Sequence, residues 1–351
     1  MSSLGEFDLI KRFFKRPAQH AVLGVGDDCA LLQCAPGMQL AISTDMLVQD
    51  RHFFADVDPR ALGHKALAVN LSDLAACGAR PLAFTLALAL PRADEAWLAA
   101  FAGGLLALAD LHGCELIGGD TTHGPLNICI TVFGEVPAGQ ALLRSGAQVG
   151  DDIYVSGTLG DARLALDALR GQLELPPEVL DAVRLRLEQP QPRVALGCAL
   201  RGLATAAIDI SDGLSGDLGH ILEASGVGAL IHSESAIELV AEDAHYTRAK
   251  VLNVSKIATA RQFEALTPAH ALATRQRMGV RALDYVMAGG DDYELAFTAS
   301  PTRRGAVAAA ATSSQTRVTR IGRIEAGSGL RVVNEAGEPV TNPLASFDHF
   351  A

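Results

Sequence analysis

Residues 64–78 form the stretch that most constrains how this chain can fold. The stretch is rich in Ala and Leu, contains no Pro and ends at Gly78, and this composition predicts a helix. Most of its side chains are small and apolar, so we expect the helix to be packed on several sides. Asn70 and Asp73 lie three residues apart and therefore share one face. A buried carboxylate needs a cation, a metal ion or several donors, and Arg80 would be its purely structural partner.

The composition indicates a protein with two domains. At 351 residues, of which 49% are hydrophobic, the chain is long enough for two cores. The net charge of −11 and the scattered basic residues argue against a nucleic-acid-binding surface. Neither a signal-peptide pattern nor an apolar stretch of membrane-spanning length is present, and we expect a cytoplasmic protein without a membrane partner.

The cysteine pattern argues against a disulfide or zinc framework. The chain has no CxxC pair of the kind that zinc sites commonly use, and an intracellular protein is not expected to carry structural disulfides. The cysteines fall mainly in apolar runs. They are therefore expected to be buried thiols, at positions 29, 34, 77, 114, 129 and 198.

Strand and helix patterns alternate along the whole chain, which predicts an α/β (α+β) fold with two layered domains. The polar connection around Arg144 marks the expected boundary, so that residues 1–146 form the N-terminal domain and residues 147–351 the C-terminal domain. Residues 233–285 are more charged and are expected to be helical. The other main predictions are strands at 39–45, 81–90, 126–136, 152–156, 204–208, 295–299, 317–325 and 330–333, and helices at 7–14, 94–111 and 161–170.

Aspartates recur in glycine-rich loops, at predicted strand ends and on the apolar helix. Any one of them could be an ordinary turn residue, but the repeated context predicts a shared site. Clustered carboxylates repel one another, and oxygen-only ligand sets suit Mg²⁺. Several Mg²⁺ ions would let a phosphorylated substrate bind there, although the chain has no P-loop, kinase-type glycine loop or zinc motif. The aspartates are Asp27, Asp28, Asp45, Asp73, Asp120, Asp209, Asp212, Asp291 and Asp292.

Seven short segments carry these residues in a fixed order: Gly24–Ala30, Ser43–Asp45, His52–Phe53, Ala68–Ala76, Gly118–Thr121, Ile208–Leu214 and Gly290–Leu295. Together they resemble the motifs of the thiamine-monophosphate kinase family, within the aminoimidazole-ribonucleotide-synthetase-like superfamily. The resemblance covers nearly the whole chain. It implies an N-terminal α/β domain that pairs with its copy in a homodimer, followed by a C-terminal α/β domain. The activity it implies is the phosphorylation of thiamine phosphate to thiamine diphosphate with ATP and Mg²⁺.

The resemblance also implies a role for individual residues. The positions that match Mg²⁺ ligands are Asp28, Ser43, Thr44, Asp45, Asp73, Asp120, Asp209 and Asp212. The positions that match nucleotide contacts are Gly119, Asp120, Arg144 and Ser211, and those near thiamine phosphate are His52, Asp291 and Phe347. The chain departs from the family pattern in two places. Asp291 stands where the family usually has Glu, and residues 233–285 are longer than expected.

The implied chemistry needs no residue acting as acid or base. The acceptor is a phosphate monoester whose second pKa is about 6, so its oxygen is largely ionised at pH 7. The obstacle is repulsion between two anions, which Mg²⁺ ions and Arg144 would reduce while aligning the reacting groups. We therefore expect direct in-line transfer.

Other members of the superfamily fit the sequence less well. A selenophosphate synthetase would need a reactive Cys near the N-terminus, and the first 28 residues contain none. A hydrogenase-maturation dehydratase would end in a reactive Cys, whereas this chain ends in His349–Ala351. Aminoimidazole ribonucleotide synthetase normally has a Gly-Thr-Lys element where Ser43–Asp45 stands. A nucleotide- or Mg²⁺-binding regulatory module is the non-enzymatic alternative.

Overall fold

The computed structural model describes residues 6–239 and 282–340, which divide into two compact units. The first unit runs to Leu142 and also takes in Glu188–Arg201. The second comprises Leu143–Leu187 and the chain from Gly202 onward. The mixed α/β architecture predicted from the sequence is confirmed.

Helices and strands alternate in both units. In chain order they are α1 (Glu6–Leu9), a π-helical turn (Ile10–Phe14), β1 (Met38–Val48), α2 (Pro59–Ala76), β2 (Arg80–Leu90), α3 (Glu95–His112), β3 (Glu115–His123), β4 (Asn127–Pro137), β5 (Asp152–Ser156), α4 (Asp161–Leu169), α5 (Pro177–Glu188), α6 (Val194–Leu200), β6 (Ala206–Ile210), α7 (Leu214–Ser225), β7 (Gly228–His232), α8 (Ser233–Ile237), α9 (282–288), β8 (Glu294–Ala299), a 3₁₀ turn (Pro301–Arg303), α10 (Arg304–Ser313), β9 (Val318–Glu325) and β10 (Gly329–Val333).

The predicted central helix is present as α2, but it begins five residues earlier than the sequence indicated. Asp58 caps its first turn by accepting a hydrogen bond from the backbone N–H of Ala61 at 2.9 Å, and Pro59 occupies the first helical position. The helix ends at Ala76, and Gly78 follows in the left-handed conformation at φ +66°.

Backbone-to-backbone contacts hold α2 between α3 and α6. A Cβ atom added at Gly63 of α2 would lie 2.0 Å from the carbonyl oxygen of Phe101, and one at Gly104 of α3 would lie 1.9 Å from that of Arg60. On the other side, a Cβ at Gly197 of α6 would lie 2.0 Å from the carbonyl oxygen of Ala75. Only glycine permits these approaches, so the three positions fix where α2 lies.

The sheet of the first unit has the strand order β1-β4-β2-β3, which makes β1 and β3 its edge strands. Helices α2 and α3 pack on one face, where Ile128, Ile130 and Val132 of β4 are buried. The opposite face carries Ile42 and Met46, which are 58% and 53% exposed. Residues 21–34 pack against part of this face, at Ala83 and Phe133, and the part that carries Ile42 and Met46 is open to solvent.

The sheet of the second unit has the strand order β10-β7-β9-β5-β8-β6. Its core includes Leu214, Leu218 and Ile221 of α7 together with buried side chains of β5, β6, β8 and α9. A smaller cluster joins α4 to α5. Strand β6 ends at Ile210, so it delivers the loop that begins at Ser211 to the edge of the core.

Several predictions from the sequence are corrected by the structure. Asp45 and Asp120 lie inside strands and not at strand ends or in glycine-rich loops, because β1 continues to Val48 and β3 to His123. Cys29 and Cys77 are exposed, since one lies in a loop and the other caps the end of α2. All six cysteines are free, and only Cys114 is buried. Most of the predicted helical stretch 233–285 lies outside the described residues.

No helix among the described residues is long and apolar enough to cross a membrane.

We predict that Gly104→Ala lowers the free energy of unfolding by about 1–3 kcal/mol, because the new Cβ would meet backbone that cannot move without displacing α2. Gly103→Ala is the matched control, since its Cβ would meet only the end of the Arg60 side chain, at 3.0 Å. Chemical denaturation of both variants measures the difference. Equal stabilities would contradict the proposed role of the close contact.

Candidate active site

Residues of β1 are hydrogen-bonded to side chains of α2. The hydroxyl of Ser43 donates a hydrogen bond to Oδ2 of Asp73, and the backbone N–H of Asp45 donates to Oδ1 of Asn70 at 3.1 Å. Arg80, the structural partner considered for Asp73, forms an ion pair with Glu135. Asp73 is thus held against β1 by a hydroxyl group.

His52 is fixed in one orientation beside the end of β1. Its Nδ1 accepts a hydrogen bond from the backbone N–H of Val48 at 3.0 Å, so the neutral ring carries its hydrogen on Nε2. The buried ammonium group of Lys65 donates to the carbonyl oxygen of His52 at 3.4 Å. In this tautomer the hydrogen-bond donor of the ring is Nε2–H.

The strand pairing places predicted ligands on opposite faces of the sheet. Paired residues share a face, so Ser43 and Asp45 lie on the helix-covered side with their partners Val132 and Ile130. Thr44 lies on the open face.

Asp120 also lies on the open face, because it pairs with Ala87 of β2. Strands β1 and β3 are separated by three inter-strand spacings, about 14 Å. Within one chain, the sheet therefore does not bring Asp120 next to Ser43 and Asp45.

Gly119 approaches the neighbouring strand too closely for any other residue. Its φ is +147°, and an added Cβ would lie 1.9 Å from the carbonyl oxygen of Leu86. At Gly118 the nearest atom to an added Cβ would be 3.8 Å away. The second glycine of this motif is thus required by the close backbone contact between β3 and β2.

The loop that carries Asp28 is tethered to β3 through Glu115. The two carboxylate oxygens of Glu115 accept hydrogen bonds from the backbone N–H groups of Gln19, His20 and Ala21 at 2.5, 2.8 and 3.0 Å. Asp28 itself is exposed. The acidic loop therefore begins at a fixed point on the edge strand.

In the second unit, the loop after β6 is organised by Asp217 of α7. Oδ2 of Asp217 accepts hydrogen bonds at 3.1 Å from the backbone N–H groups of Ser211, Asp212 and Gly213. Burial raises the pKa of Asp217 to about 7, against the opposing effect of the N–H donors. Asp209 is buried at 7% exposure within β6. The sequence did not indicate a role for Asp217. Its role is to bind three backbone N–H groups of this loop.

Asp291 lies beside this loop. Its backbone N–H donates to the carbonyl oxygen of Ser211 at 2.8 Å, and its carboxylate accepts a hydrogen bond from the hydroxyl of Tyr293 at 3.2 Å. The loop places Asp291 next to Ser211 and Asp212. Arg144 precedes β5, and its carbonyl oxygen accepts a hydrogen bond from Ser225 at 3.3 Å. Phe347 lies outside the described residues.

Adjacent to Asp291, the structure buries a group of charged side chains that the sequence did not distinguish. Asp161, Asp292 and Glu294 are at most 1% exposed, and Arg186 donates to Glu294 at 2.7 Å. The sequence grouped Asp292 with Asp291 as one acidic pair. The structure separates them, since only Asp292 is buried.

The donor chemistry of the predicted ligands fits Mg²⁺. Carboxylate and hydroxyl oxygens come together at Ser43 and Asp73, and hard cations prefer oxygen ligands. Within the described residues, no three His, Cys, Asp or Glu side chains stand together as a metal-binding group. Ser43 and Asp73 supply two oxygen ligands of such a set, which substrate phosphates would extend.

Comparisons with known proteins agree with these motifs. Residues 26–136 match the family described as AIR synthase related protein, N-terminal domain, and residues 148–334 match the corresponding C-terminal domain. The chain is 44% identical to the thiamine-monophosphate kinase of Salmonella typhimurium over 353 residues, which covers 99% of this chain and 98% of that protein. It is 31% identical to the enzyme of Bacillus subtilis, with 94% of each chain covered.

Solved structures show the same architecture. The crystal structure of thiamine-monophosphate kinase from Stenotrophomonas maltophilia has a TM-score of 0.74, 44% identity and 92% coverage of each chain. A complex described as AaThiL with AMPPCP and TMP has a TM-score of 0.69 and 28% identity, covering 91% of this chain and 89% of that one. From its motifs, its two matched domains and its near full-length identity to these enzymes, the chain belongs to the thiamine-monophosphate kinase family.

Proposed function

We propose that this protein transfers a phosphoryl group from ATP to thiamine phosphate, directly and in line, and forms thiamine diphosphate and ADP. The observation that carries the proposal is the match to thiamine-monophosphate kinases over 99% of the chain. The related complex with AMPPCP and TMP supports a site that holds both substrates. We further propose that residues 1–146 form the ATP- and Mg²⁺-binding and dimerisation domain and residues 147–351 the C-terminal domain, in a cytoplasmic enzyme.

We assign Mg²⁺ binding to a set of oxygen-bearing residues. Its chemistry there is to neutralise phosphate charge. The residues assigned to it are Asp28, Ser43, Thr44, Asp45, Asp73, Asp120, Asp209 and Asp212. In the described residues, Ser43 supports this assignment because its hydroxyl holds the carboxylate of Asp73 in place.

The remaining assigned residues bind and orient the substrates. Gly119 lies next to Asp120 on β3, and Arg144 and Ser211 contribute a cation and a hydroxyl to the nucleotide. His52 directs its Nε2–H donor to the phosphate of thiamine phosphate, because Nδ1 is occupied by Val48. Asp291 and Phe347 are the other two residues assigned to the binding of thiamine phosphate. No proton has to be removed from the acceptor, since its phosphate is largely ionised at pH 7.

A homodimer formed through the open face of the N-terminal sheet fits the exposed apolar residues. Leu40, Ile42 and Met46 are 44–58% exposed on β1, and strands β1 and β3 have free edges in the sheet. We propose that a second copy of this chain binds to this face of the sheet. Its sheet would cover the same apolar residues on both protomers.

Purified protein should convert thiamine phosphate, ATP and Mg²⁺ to thiamine diphosphate and ADP. Free thiamine should be a poor acceptor, because its alcohol is un-ionised and the assigned residues include no base. Chromatographic analysis of the products identifies which nucleotide and which thiamine ester form. Efficient conversion of free thiamine with release of AMP would refute the proposal.

We predict that Asp73→Asn lowers turnover about 10²-fold or more, because it removes a negative charge from the Mg²⁺-binding residues while preserving shape. The fold should survive, and removing carboxylate repulsion should not lower the melting temperature without Mg²⁺. Turnover and melting, with and without Mg²⁺, are measured side by side.

Asp94→Asn is the control for the Asp73 variant. Asp94 caps α3 by accepting hydrogen bonds from Ala96 and Trp97 at 3.0 and 3.1 Å, and Asn caps helices equally well. Its turnover should equal that of the wild type. Wild-type turnover in Asp73→Asn would exclude the metal role, and a collapsed melting temperature would show a structural role.

Ile42→Glu should convert the dimer to a monomer, because it places a charge on the open sheet face. Leu111→Glu is the control, since Leu111 is 76% exposed on α3, on the helix-covered side of the sheet. Sedimentation at micromolar concentration measures the mass of each variant. A wild-type protein that sediments as a monomer would exclude the proposed assembly.

A further inference from the structure

The loop that carries Asp291 has an unusual backbone. Asp291 and Tyr293 both have positive φ angles, +65° and +51°, although neither is glycine. Such conformations cost of order 1–3 kcal/mol each and persist only where other contacts enforce them. Asp292 lies between these two residues.

Asp292 is anchored in the interior of the second unit. It is 1% exposed, and its Oδ2 accepts a hydrogen bond from the backbone N–H of Gly160 at 2.8 Å. Its Oδ1 lies 3.5 Å from the backbone nitrogen of Ala162, a longer and weaker contact. Gly160 and Ala162 belong to the start of α4, so the carboxyl group ties the loop to the N-terminus of that helix.

The side chain of Asp292 points into the unit, whereas the residues on either side of it bind the loop after β6 through their backbone. The backbone N–H groups of Asp291 and Tyr293 donate to the carbonyl oxygens of Ser211 and Ile210, both at 2.8 Å. The hydroxyl of Tyr293 then reaches the carboxylate of Asp291 at 3.2 Å. Backbone hydrogen bonds therefore hold Asp291 beside the loop after β6. The side chain of Asp291 takes no part in these two bonds.

Glycine makes this close packing of the two loops possible. A Cβ added at Gly290 would lie 2.5 Å from the carbonyl oxygen of Ser211. A Cβ added at Gly213 would lie 3.0 Å from the carbonyl oxygen of Gly289. The loops are therefore in direct backbone contact, and a shift of the Asp291 loop changes where its carboxylate lies.

We infer that Asp292 is a positioning residue, which fixes the strained loop so that Asp291 faces thiamine phosphate. The inference rests on the proposed function for the role of Asp291. Asp292 touches no substrate; it acts through the backbone of Asp291 and Tyr293. The conformation of the loop that contains Ser211 and Asp212 depends less on Asp292, because Asp217 accepts hydrogen bonds from three N–H groups of that loop.

The test measures steady-state kinetics and amide hydrogen exchange in three variants. Asp292→Ala should raise KM for thiamine phosphate about tenfold and change KM for ATP less than about threefold, since the anchor of the acceptor loop alone is lost. The amides of Asp291 and Tyr293 should exchange faster. Asp292→Asn keeps an oxygen acceptor for Gly160, so its KM should stay within about threefold of the wild type.

Asp152→Ala is the control for general destabilisation. Asp152 is also buried in the second unit and accepts hydrogen bonds from Arg304 and Arg320 at 2.6–3.1 Å. Its removal should lower the melting temperature without changing KM for thiamine phosphate or the exchange of the Asp291 amide.

Three results would overturn the inference. These are unchanged exchange at Asp291 and Tyr293 in Asp292→Ala, unchanged KM with turnover that falls only with the folded fraction, and an Asn variant as impaired as the Ala variant. A wild-type protein that cannot phosphorylate thiamine phosphate would instead refute the proposed function. The exchange measurement would then still decide whether Asp292 anchors the loop.

Discussion

The fold of the first unit depends on the contact of α2 with the backbones of α3 and α6. Gly63, Gly104 and Gly197 allow carbonyl oxygens to lie where any side chain would stand. Because these contacts join main chain to main chain, they leave α2 little freedom to slide or rotate. Asn70 and Asp73 project from the helix held in this way, and β1 meets them through Asp45 and Ser43. The geometry of this part of the site therefore follows from helix packing.

Much of the fold could be predicted from local sequence patterns. The strands and helices alternate as expected, and α2 follows from its Ala- and Leu-rich composition. Its earlier start at Pro59 was missed, because Gly63 weakens the helical pattern that Asp58 and Pro59 begin. The continuation of β1 past Asp45 was also missed. Pairing with β4 extends that strand, and pairing is a long-range property that the segment alone does not display.

The sequence motifs select candidate site residues by type, but they do not give the contacts that each residue makes. The motifs brought attention to Asp73, and the structure places its carboxylate against Ser43. They assigned Asp291 to the substrate but gave Asp292 no separate role, and only the folded loop shows that Asp292 is buried. Asp217 was missed for a related reason. Its role comes from three N–H groups that only the folded loop brings to one oxygen.

The alternation of β1 has a consequence for how this family of sequences can change. Ser43, Thr44 and Asp45 are consecutive, yet the middle one points to the open face and its neighbours to the helix-covered face. Replacing one of these side chains alters one position. Adding or deleting a single residue upstream in the strand would exchange the two faces at every position that followed. The length of β1 before Ser43, and not only the identity of its residues, is therefore part of the site.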